Sequence, residues 1–295
     1  YRPFPVGTVP ARGQPAIHPG LGRRRRSAMA PPRRALPAMA ATHGTMVARM
    51  SLSIDINADL GELDADLDAA MMPFISSASI ACGFHAGSPT RMRETVLLCL
   101  KFGVAIGAHP SYYDRTDFGR RELGLDVDTI YSLTLYQIGA LKAMVAAEGS
   151  RLRHVKPHGA LYNRSAVDAE AAHAVASAVR DIDSGLVLVG LAGSKLIDAG
   201  SSLGLTTWAE GFADRRYTDN GLLLSRNHAA ALINETDDAI AQALAMVKDG
   251  IIPSVNGHPV RMAVDTVCLH GDGKHALPFA AALHAAFHAA GITIA

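Results

Sequence analysis

The chain has 295 residues, of which 49% are hydrophobic and 19% charged, so it can bury a large core in one or two domains. Its formal net charge of +1 conceals two unlike parts: residues 1–50 contain nine arginines and no acidic residue, which leaves 19 Lys and Arg against 27 Asp and Glu, a net charge of −8, in the remainder. That balance argues against nucleic acid or an anionic membrane surface as a partner, and no apolar run of 18 residues predicts a membrane span.

Residues 1–50 differ from the rest in composition. They contain eight of the 15 prolines and the run Arg23-Arg24-Arg25-Arg26, without apolar periodicity, so we expect this Arg/Pro-rich segment to be disordered. A transit peptide or a basic nucleic-acid arm is less consistent with its proline content and single serine. Because Met50 directly precedes the first predicted strand, we interpret residues 1–50 as upstream or cloning-derived sequence and residues 51–295 as one domain.

From residue 52 onwards, short β-type runs alternate with longer segments of helical period. In chain order, the patterns predict a strand over 52–59, a strand over 77–85, a helix over 89–102, a strand over 103–109, a loop over 111–125, a helix over 126–149, a strand over 152–158, a helix over 166–181, a strand over 186–191, a helix over 193–203, a strand over 206–213, a loop with Gly221, a helix over 235–249, a strand over 264–270 and a helix over 274–290. Such alternation is typical of a parallel sheet covered by helices.

Two neighbouring predicted strands end alike, in the runs Ala81-Cys82-Gly83-Phe84-His85 and Ala105-Ile106-Gly107-Ala108-His109. Because alternate side chains lie on opposite faces of a strand, each run places small residues and then a histidine on one face. Nearly every other strand also ends in polar residues, whereas an open sheet gathers its site from a few strands at one switch point. We therefore predict an α/β fold, a single (β/α) barrel of about seven parallel strands with its site at their carboxyl ends.

Candidate catalytic residues lie at or just after the strand ends: Asp59, Glu62, His85, His109, Lys156, His158 and Asp272. Imidazoles suit general acid-base chemistry near neutral pH, and neighbouring carboxylates set their tautomer and pKa. The same residue types bind divalent metals, but the chain contains no HExxH or HxH spacing, so we expect no tightly bound metal. A structural ion pair is the alternative role for Lys156.

Candidate residues for binding substrate or phosphate are Asn57, Arg120, Arg121, Asp214, Arg215 and His270. Guanidinium groups bind carboxylates and phosphates in a bidentate manner. Alternatively, either arginine pair ties down its own loop through the adjacent aspartate. The chain has no Walker spacing, no GxGxxG after a strand and no GxSxG, which argues against a Rossmann dehydrogenase and a serine hydrolase.

The three cysteines, Cys82, Cys99 and Cys268, form no CxxC pair, and two of them lie in apolar strand-like runs. We interpret them as core residues of a protein in a reducing compartment, which predicts a cytoplasmic location.

A series of motifs in this order closely resembles the LamB/YcsF family, the A subunits of prokaryotic ATP-dependent 5-oxoprolinases: Asp55-Ile56-Asn57-Ala58-Asp59-Leu60-Gly61-Glu62, Ile80-Ala81-Cys82-Gly83-Phe84-His85-Ala86-Gly87, Gly107-Ala108-His109-Pro110, Phe118-Gly119-Arg120-Arg121, Val155-Lys156-Pro157-His158-Gly159-Ala160-Leu161-Tyr162-Asn163, Phe212-Ala213-Asp214-Arg215 and His270-Gly271-Asp272. The resemblance implies a seven-stranded β/α barrel akin to polysaccharide deacetylases. It also implies ATP-dependent opening of 5-oxoproline to glutamate, ATP as co-substrate with Mg²⁺, and B and C partner subunits.

For that reaction, Lys156, Arg120 and Arg215 are candidates to bind the phosphoryl group, and Asp59, His85, His109 and His158 are candidate bases. Two other functions stay open. One is a stand-alone metal-dependent deacetylase or amidohydrolase acting on a small amide or carbohydrate, with the histidines and aspartates as ligands. The other is a non-catalytic binding or scaffold subunit.

Overall fold

The computed structural model describes residues 52–269 and 276–295. In chain order its strands are β1 (Ser53–Leu60), β2 (Ser77–Ala81), β3 (Ala105–His109), β4 (His154–Val155), β5 (Val187–Leu191), β6 (Thr206–Phe212), β7 (Ile251–Pro253), β8 (Pro259–Arg261), β9 (Thr266–Leu269) and β10 (Thr293–Ile294). Within these residues, β1 to β6 and β9 run parallel, and the sheet closes because β9 pairs with both β6 and β1. The predicted seven-stranded (β/α) barrel is confirmed.

Helices alternate with the strands along the described chain: α1 (Ala65–Met71), α2 (Pro89–Phe102), α3 (Val127–Ala147), α4 (Gly159–Val167), α5 (Ala169–Ile182), α6 (Lys195–Ser202), α7 (Thr236–Lys248) and α8 (Ala276–Ala289). The bounds of α2 follow directly from its sequence. The Ser88 side chain accepts a hydrogen bond from the Arg91 amide, Pro89 occupies the first turn, and Gly103 ends the helix in a left-handed conformation.

Two predicted strands are shorter in the structure. The strand predicted over 77–85 ends at Ala81, because the chain then turns through Gly83 and Gly87, whose φ angles are 88° and 75°. His85 therefore lies in a loop beyond β2. Of the strand predicted over 152–158, only β4 has regular strand geometry, although the Lys156 and His158 amides beyond it still donate to the Ala108 and Pro110 carbonyls. Pro157, between them, has no amide hydrogen to donate.

Other elements differ in number. The helix predicted over 166–181 corresponds to α5, and the patterns missed α1, α4, which ends just before Asp168, the β7–β8 hairpin and β10. Of the predicted strand over 264–270 and helix over 274–290, positions 270 and 274–275 lie outside the described residues. Short elements carry too few residues to establish a period, which is why they were missed.

Strand β1 sorts its side chains between two environments. Ile54 and Ile56 are buried in the layer between barrel and helices. Asp55 accepts hydrogen bonds from Ser77 Oγ at 2.8 Å and from Thr266 Oγ1, and Asn57 Nδ2 donates to Thr266 Oγ1 at 2.7 Å. The polar face predicted for this strand therefore lies inside the barrel, where each polar group has a partner.

Helix α3 is the one described helix that is long and apolar enough to cross a membrane by length and composition. Its buried side chains, including Ile130, Ile138 and Leu141, belong to the main hydrophobic core. A core helix can have the same length and apolar composition as a membrane-spanning helix. The three cysteines are buried and free, as predicted for core residues.

A glycine on β3 gives space to a histidine inside the barrel. Gly107 is in register with His154 on β4, and a Cβ added at Gly107 would lie 2.0 Å from His154 Nε2. The same ring nitrogen lies 3.2 Å from Ser79 Oγ. Because the ring is fully buried, it has little room to move away from an added methyl group.

We expect Gly107→Ala to lower the free energy of unfolding by about 1–3 kcal/mol, the usual cost of overpacking, measured by urea denaturation. Gly139→Ala on α3 is the matched control, because its added Cβ would meet only Ile182 Cδ1 at 3.6 Å. In a helix this change should stabilise by about 0.4–1 kcal/mol. Equal effects of the two substitutions would contradict the packing described for His154.

The stability of the fold should depend on pH through His154. Burial, and then the charge of Lys156, lower the pKa of His154 from 6.5 to about 3. The unfolded chain therefore takes up a proton here that the folded chain does not, so stability is lost as pH falls below about 6.5, by up to about 1.4 kcal/mol per pH unit.

We expect His154→Asn to make the decline in unfolding free energy between pH 7 and pH 4 shallower in urea denaturation series, relative to the unsubstituted chain. His173→Asn is the control, because His173 is exposed on α5. An unchanged slope in His154→Asn would show that the folded protein accommodates the protonated ring.

Candidate functional site

A cavity of about 610 Å³ lies at the carboxyl ends of the barrel strands. Its floor and walls combine strand-end residues with two long loops, 111–125 and 214–232, and the lining polar residues include Asp59, Glu62, His109, Arg120, Lys156, His158, Tyr162, Asn163, Arg215, Ser225, Arg226 and Asn227. The structure thus brings together most of the residues that the sequence singled out, and the barrel topology explains why.

Lys156, which lines the cavity, is the centre of a largely buried ionic network. Its Nζ lies 2.7 Å from Asp59 Oδ1 and 3.0 Å from Glu210 Oε1, and it donates to Asn57 Oδ1 at 2.8 Å. Burial opposes the charged form, but Asp59 and Glu210 together raise the pKa of Lys156 well above its ordinary value. Lys156 is therefore a fixed cation that orients Asp59, and Asn57 belongs to this network rather than to the cavity wall.

Three histidines, His85, His109 and His158, pack together beside Lys156. The rings of His85 and His158 are stacked, with centroids 3.8 Å apart and planes at 5°, and His109 meets both edge-on. Gly119 closes over the stack, because an added Cβ there would lie 2.9 Å from His85 Cβ. This explains the glycine in the 111–125 loop, where only a residue without a side chain fits.

In each ring one nitrogen, here called the inner nitrogen, is directed towards Glu62, and the other is the outer nitrogen. The hydrogen bond at the outer nitrogen assigns the tautomer of the ring. His109 Nδ1 lies 2.6 Å from the Lys156 carbonyl oxygen, and His158 Nε2 lies 2.8 Å from the Phe118 carbonyl oxygen. A carbonyl oxygen only accepts, so both nitrogens carry hydrogen. His85 Nδ1 lies 2.8 Å from Ser111 Oγ, and because that hydroxyl donates to the Tyr112 carbonyl, it accepts from His85.

In their neutral form, the three rings consequently present the lone pairs of their inner nitrogens to one another and to Glu62. His109 Nε2 and His158 Nδ1 are 3.0 Å apart, and Glu62 Oε1 lies 2.9 Å from His85 Nε2 and 3.5 Å from His158 Nδ1. One ligand atom from each of these four residues lies within 4.8 Å of the other three. Four acceptors facing one another repel unless a cation, either a proton or a metal ion, lies among them.

The four residues, which we call the His₃Glu cluster, fit a divalent metal ion. Burial, and then the charge of His109, lower the pKa of His85 to about 2, and burial with the charges of His85 and His109 holds the pKa of His158 well below its usual range. These rings stay neutral, as metal ligands must, and each outer nitrogen is fixed by a protein acceptor, as is usual for ligating histidines. The expectation of no tightly bound metal is not supported, because four separate segments supply the donors and no HExxH or HxH spacing is needed.

The predicted binding residues divide into two groups. Arg120 and Arg215 line the cavity. Arg121 does not; its Nε lies 3.3 Å from Asp117 Oδ2 in its own loop, which is the alternative considered for this pair. Asp214 is likewise absent from the cavity wall and acts electrostatically on its neighbour Arg215. His270 and Asp272 lie outside the described residues.

Some residues of the site were not among the candidates. Tyr162, in the motif that begins at Val155, lines the cavity, and Glu210, buried at the end of β6, holds Lys156. Tyr162 belongs to one of the quoted motifs, and Glu210 lies on a predicted strand whose end was expected at the site. The sequence therefore contained a signal for both residues. Arg226 lies in a long loop without any period, where the sequence offers no such indication.

Comparisons with known proteins agree with this architecture. The chain is similar to a lactam utilization protein from Thermus thermophilus, with 41% identity and a TM-score of 0.77 over 82% of this chain and 99% of that one. A putative cellobiose-phosphate cleavage protein from Enterococcus faecalis matches at 13% identity and a TM-score of 0.53, over 83% and 97% of the two chains, which shows a shared fold alone. A family 4 carbohydrate esterase from Streptomyces lividans matches more weakly, at 12% identity and a TM-score of 0.42 over 82% and 91%.

A family model provides the most specific match. The LamB/YcsF family model covers residues 54–295, which include every described barrel strand except the first residue of β1. This range also contains all the motifs on which the resemblance was based. The chain belongs to the LamB/YcsF family.

Proposed function

We propose that this protein is the A subunit of an ATP-dependent 5-oxoprolinase, which opens 5-oxoproline to glutamate together with B and C partner subunits. The observation that carries the proposal is the meeting of the Glu62 carboxylate, the fixed Lys156–Asp59 pair and two arginines, Arg120 and Arg215, in one cavity. The 41% identity to a lactam utilization protein supports a lactam as the substrate.

A lactam amide is a poor electrophile, and ATP overcomes this difficulty. Transfer of the γ-phosphoryl group to the lactam carbonyl oxygen releases ADP and activates the carbonyl carbon. Water then adds to this carbon, and the C–N bond breaks as the ring nitrogen takes a proton. A second water molecule hydrolyses the resulting acyl phosphate to glutamate and phosphate. Mg²⁺ accompanies ATP in this scheme.

The side chains match the needs of these steps. Glu62 lines the cavity, its side chain is 11% exposed, and it contacts the three histidines, so it is placed to take a proton from water. Arg120 offers a guanidinium group to phosphoryl or carboxylate oxygens. Asp59, held by Lys156, lies 3.4 Å from His109 Nε2, where its carboxylate stabilises a proton or a metal ion at that nitrogen. The buried free thiols are consistent with the cytoplasm, where we place the reaction.

The experiment is glutamate formation from 5-oxoproline and ATP, with and without the B and C subunits. We expect product only when all three subunits and ATP are present. We expect Glu62→Gln to lower turnover about 100-fold or more, because it removes the base without changing shape. Glu94→Gln on α2 is the control, because its side chain is 58% exposed and lies away from the cavity.

Two results would count against the proposal. The absence of glutamate from the complete mixture would exclude the ATP-dependent reaction. Full turnover in Glu62→Gln would exclude this residue as the base.

A second candidate function is a metal-dependent amidohydrolase or deacetylase, and the four converging acceptors of the His₃Glu cluster favour it. Glu62, His85, His109 and His158 would hold the ion. A divalent ion in such a site polarises an amide carbonyl and makes a water molecule more acidic. The Lys156 carbonyl would keep His109 in place through Nδ1, and the arginines would bind an anionic part of the substrate.

Metal binding can be measured apart from activity. We expect equilibrium dialysis against Zn²⁺ or Mn²⁺, followed by elemental analysis, to give one ion per chain, because four neutral or anionic donors converge. We expect His109→Ala and Glu62→Gln to lose this ion and His173→Ala, exposed on α5, to keep it. If the unsubstituted chain binds neither ion, the acceptors of the His₃Glu cluster share a proton instead of a metal ion, and the metal-dependent function is excluded.

A further inference from the structure

Three arginines from three separate segments line the outer part of the cavity. Arg120 comes from the 111–125 loop, Arg215 follows β6, and Arg226 lies in the 214–232 loop. The Arg120 guanidinium lies over the Phe118 ring, 5.0 Å from its centroid, so its position is defined although it is exposed. The three arginines thus line one cavity.

Arg215 fixes the loop that carries Arg226. It is 5% exposed, its Nη2 donates to the Leu224 carbonyl at 2.6 Å, and its Nε donates to the Ala231 carbonyl at 3.4 Å. One guanidinium group therefore holds both ends of the segment 225–230, which contains Arg226. Bridges of Arg215 with Leu232 and of Tyr217 with Leu223 close the loop further. The backbone on both sides of Arg226 is consequently held in place by these contacts.

The three guanidinium groups are close enough to act on one another. Burial is the largest cause that lowers the pKa of Arg215, and the charges of Arg226 and Arg120 lower it further, against an opposing effect of Asp214. Like charges gathered around a cavity produce a positive potential that attracts anions. Leu222 and Leu223 line the same cavity and provide apolar surface beside these charges.

We propose that Arg120, Arg215 and Arg226 form an oxyanion subsite, which binds a carboxylate or phosphoryl group of the substrate while the His₃Glu cluster faces the amide. This inference rests on the proposed function and deepens it, because it requires a lactam that carries an acidic group or acquires a phosphoryl group. Guanidinium forks match both oxyanions in geometry, and the leucines suit the methylene groups of a small ring.

Three probes distinguish a substrate carboxylate from a phosphoryl group as the oxyanion that binds here. Their binding to the full chain is measured by isothermal titration calorimetry. 5-Oxoproline is a lactam with a carboxylate, 2-pyrrolidinone is the same ring without it, and inorganic phosphate is an oxyanion alone. We expect Arg226→Gln and Arg120→Gln to weaken binding of 5-oxoproline or phosphate about tenfold or more, as loss of a charged hydrogen bond does, and to leave 2-pyrrolidinone binding unchanged. Arg261→Gln, exposed on β8, is the matched control and should change nothing.

Each outcome decides a different point. Weakening confined to 5-oxoproline assigns the subsite to the substrate carboxylate, and weakening confined to phosphate assigns it to the phosphoryl group. Equal binding of both oxyanions by Arg226→Gln and the unsubstituted chain, or no binding of either oxyanion by the unsubstituted chain, would overturn the inference. The proposed function fails separately, when the complete enzyme forms no glutamate from 5-oxoproline, whatever the arginine variants bind.

Discussion

The hydrogen bond from His109 Nδ1 to the backbone carbonyl of Lys156 joins the ends of two neighbouring strands and decides what the site can do. It fixes the tautomer of His109, so that in the neutral form of the ring the Nε2 lone pair points at His158 and Asp59. The Phe118 carbonyl does the same for His158 from the opposite side. Backbone carbonyls at a strand end and in the 111–125 loop thereby impose a set of converging acceptors.

The buried charges below this set are balanced in the same way. One ammonium group, that of Lys156, faces two carboxylates; Lys156 and Glu210 are buried, whereas the Asp59 side chain is 11% exposed and lines the cavity. Such a network contributes little to stability compared with a packed apolar core, but losing one partner leaves an uncompensated buried charge. The ionic network is therefore better explained by its role in positioning the side chains of the site than by a contribution to the free energy of unfolding.

The sequence was sufficient for the barrel and for part of the site. Alternating strand and helix patterns fix the topology, and the topology brings His109, Lys156 and His158 to one edge. The metal-compatible geometry was not predictable, because it depends on backbone carbonyls and on loops that fold His85 and Glu62 inward from beyond the strands. The charge of Arg121 suggested a ligand-binding residue, and the structure places its guanidinium beside Asp117, four residues away in its own loop.

The most direct test of the converging acceptors is the protonation of the histidine rings, observed by long-range ¹H–¹⁵N correlation spectra of the metal-free protein. Spectra of single His→Asn variants assign each ring. The hydrogen bonds on the outer sides of the rings predict hydrogen on Nδ1 of His85 and His109 and on Nε2 of His158, with Nδ1 of His158 unprotonated. Hydrogen on Nδ1 of His158 would contradict this arrangement, because a lone pair would then be missing from the centre of the site.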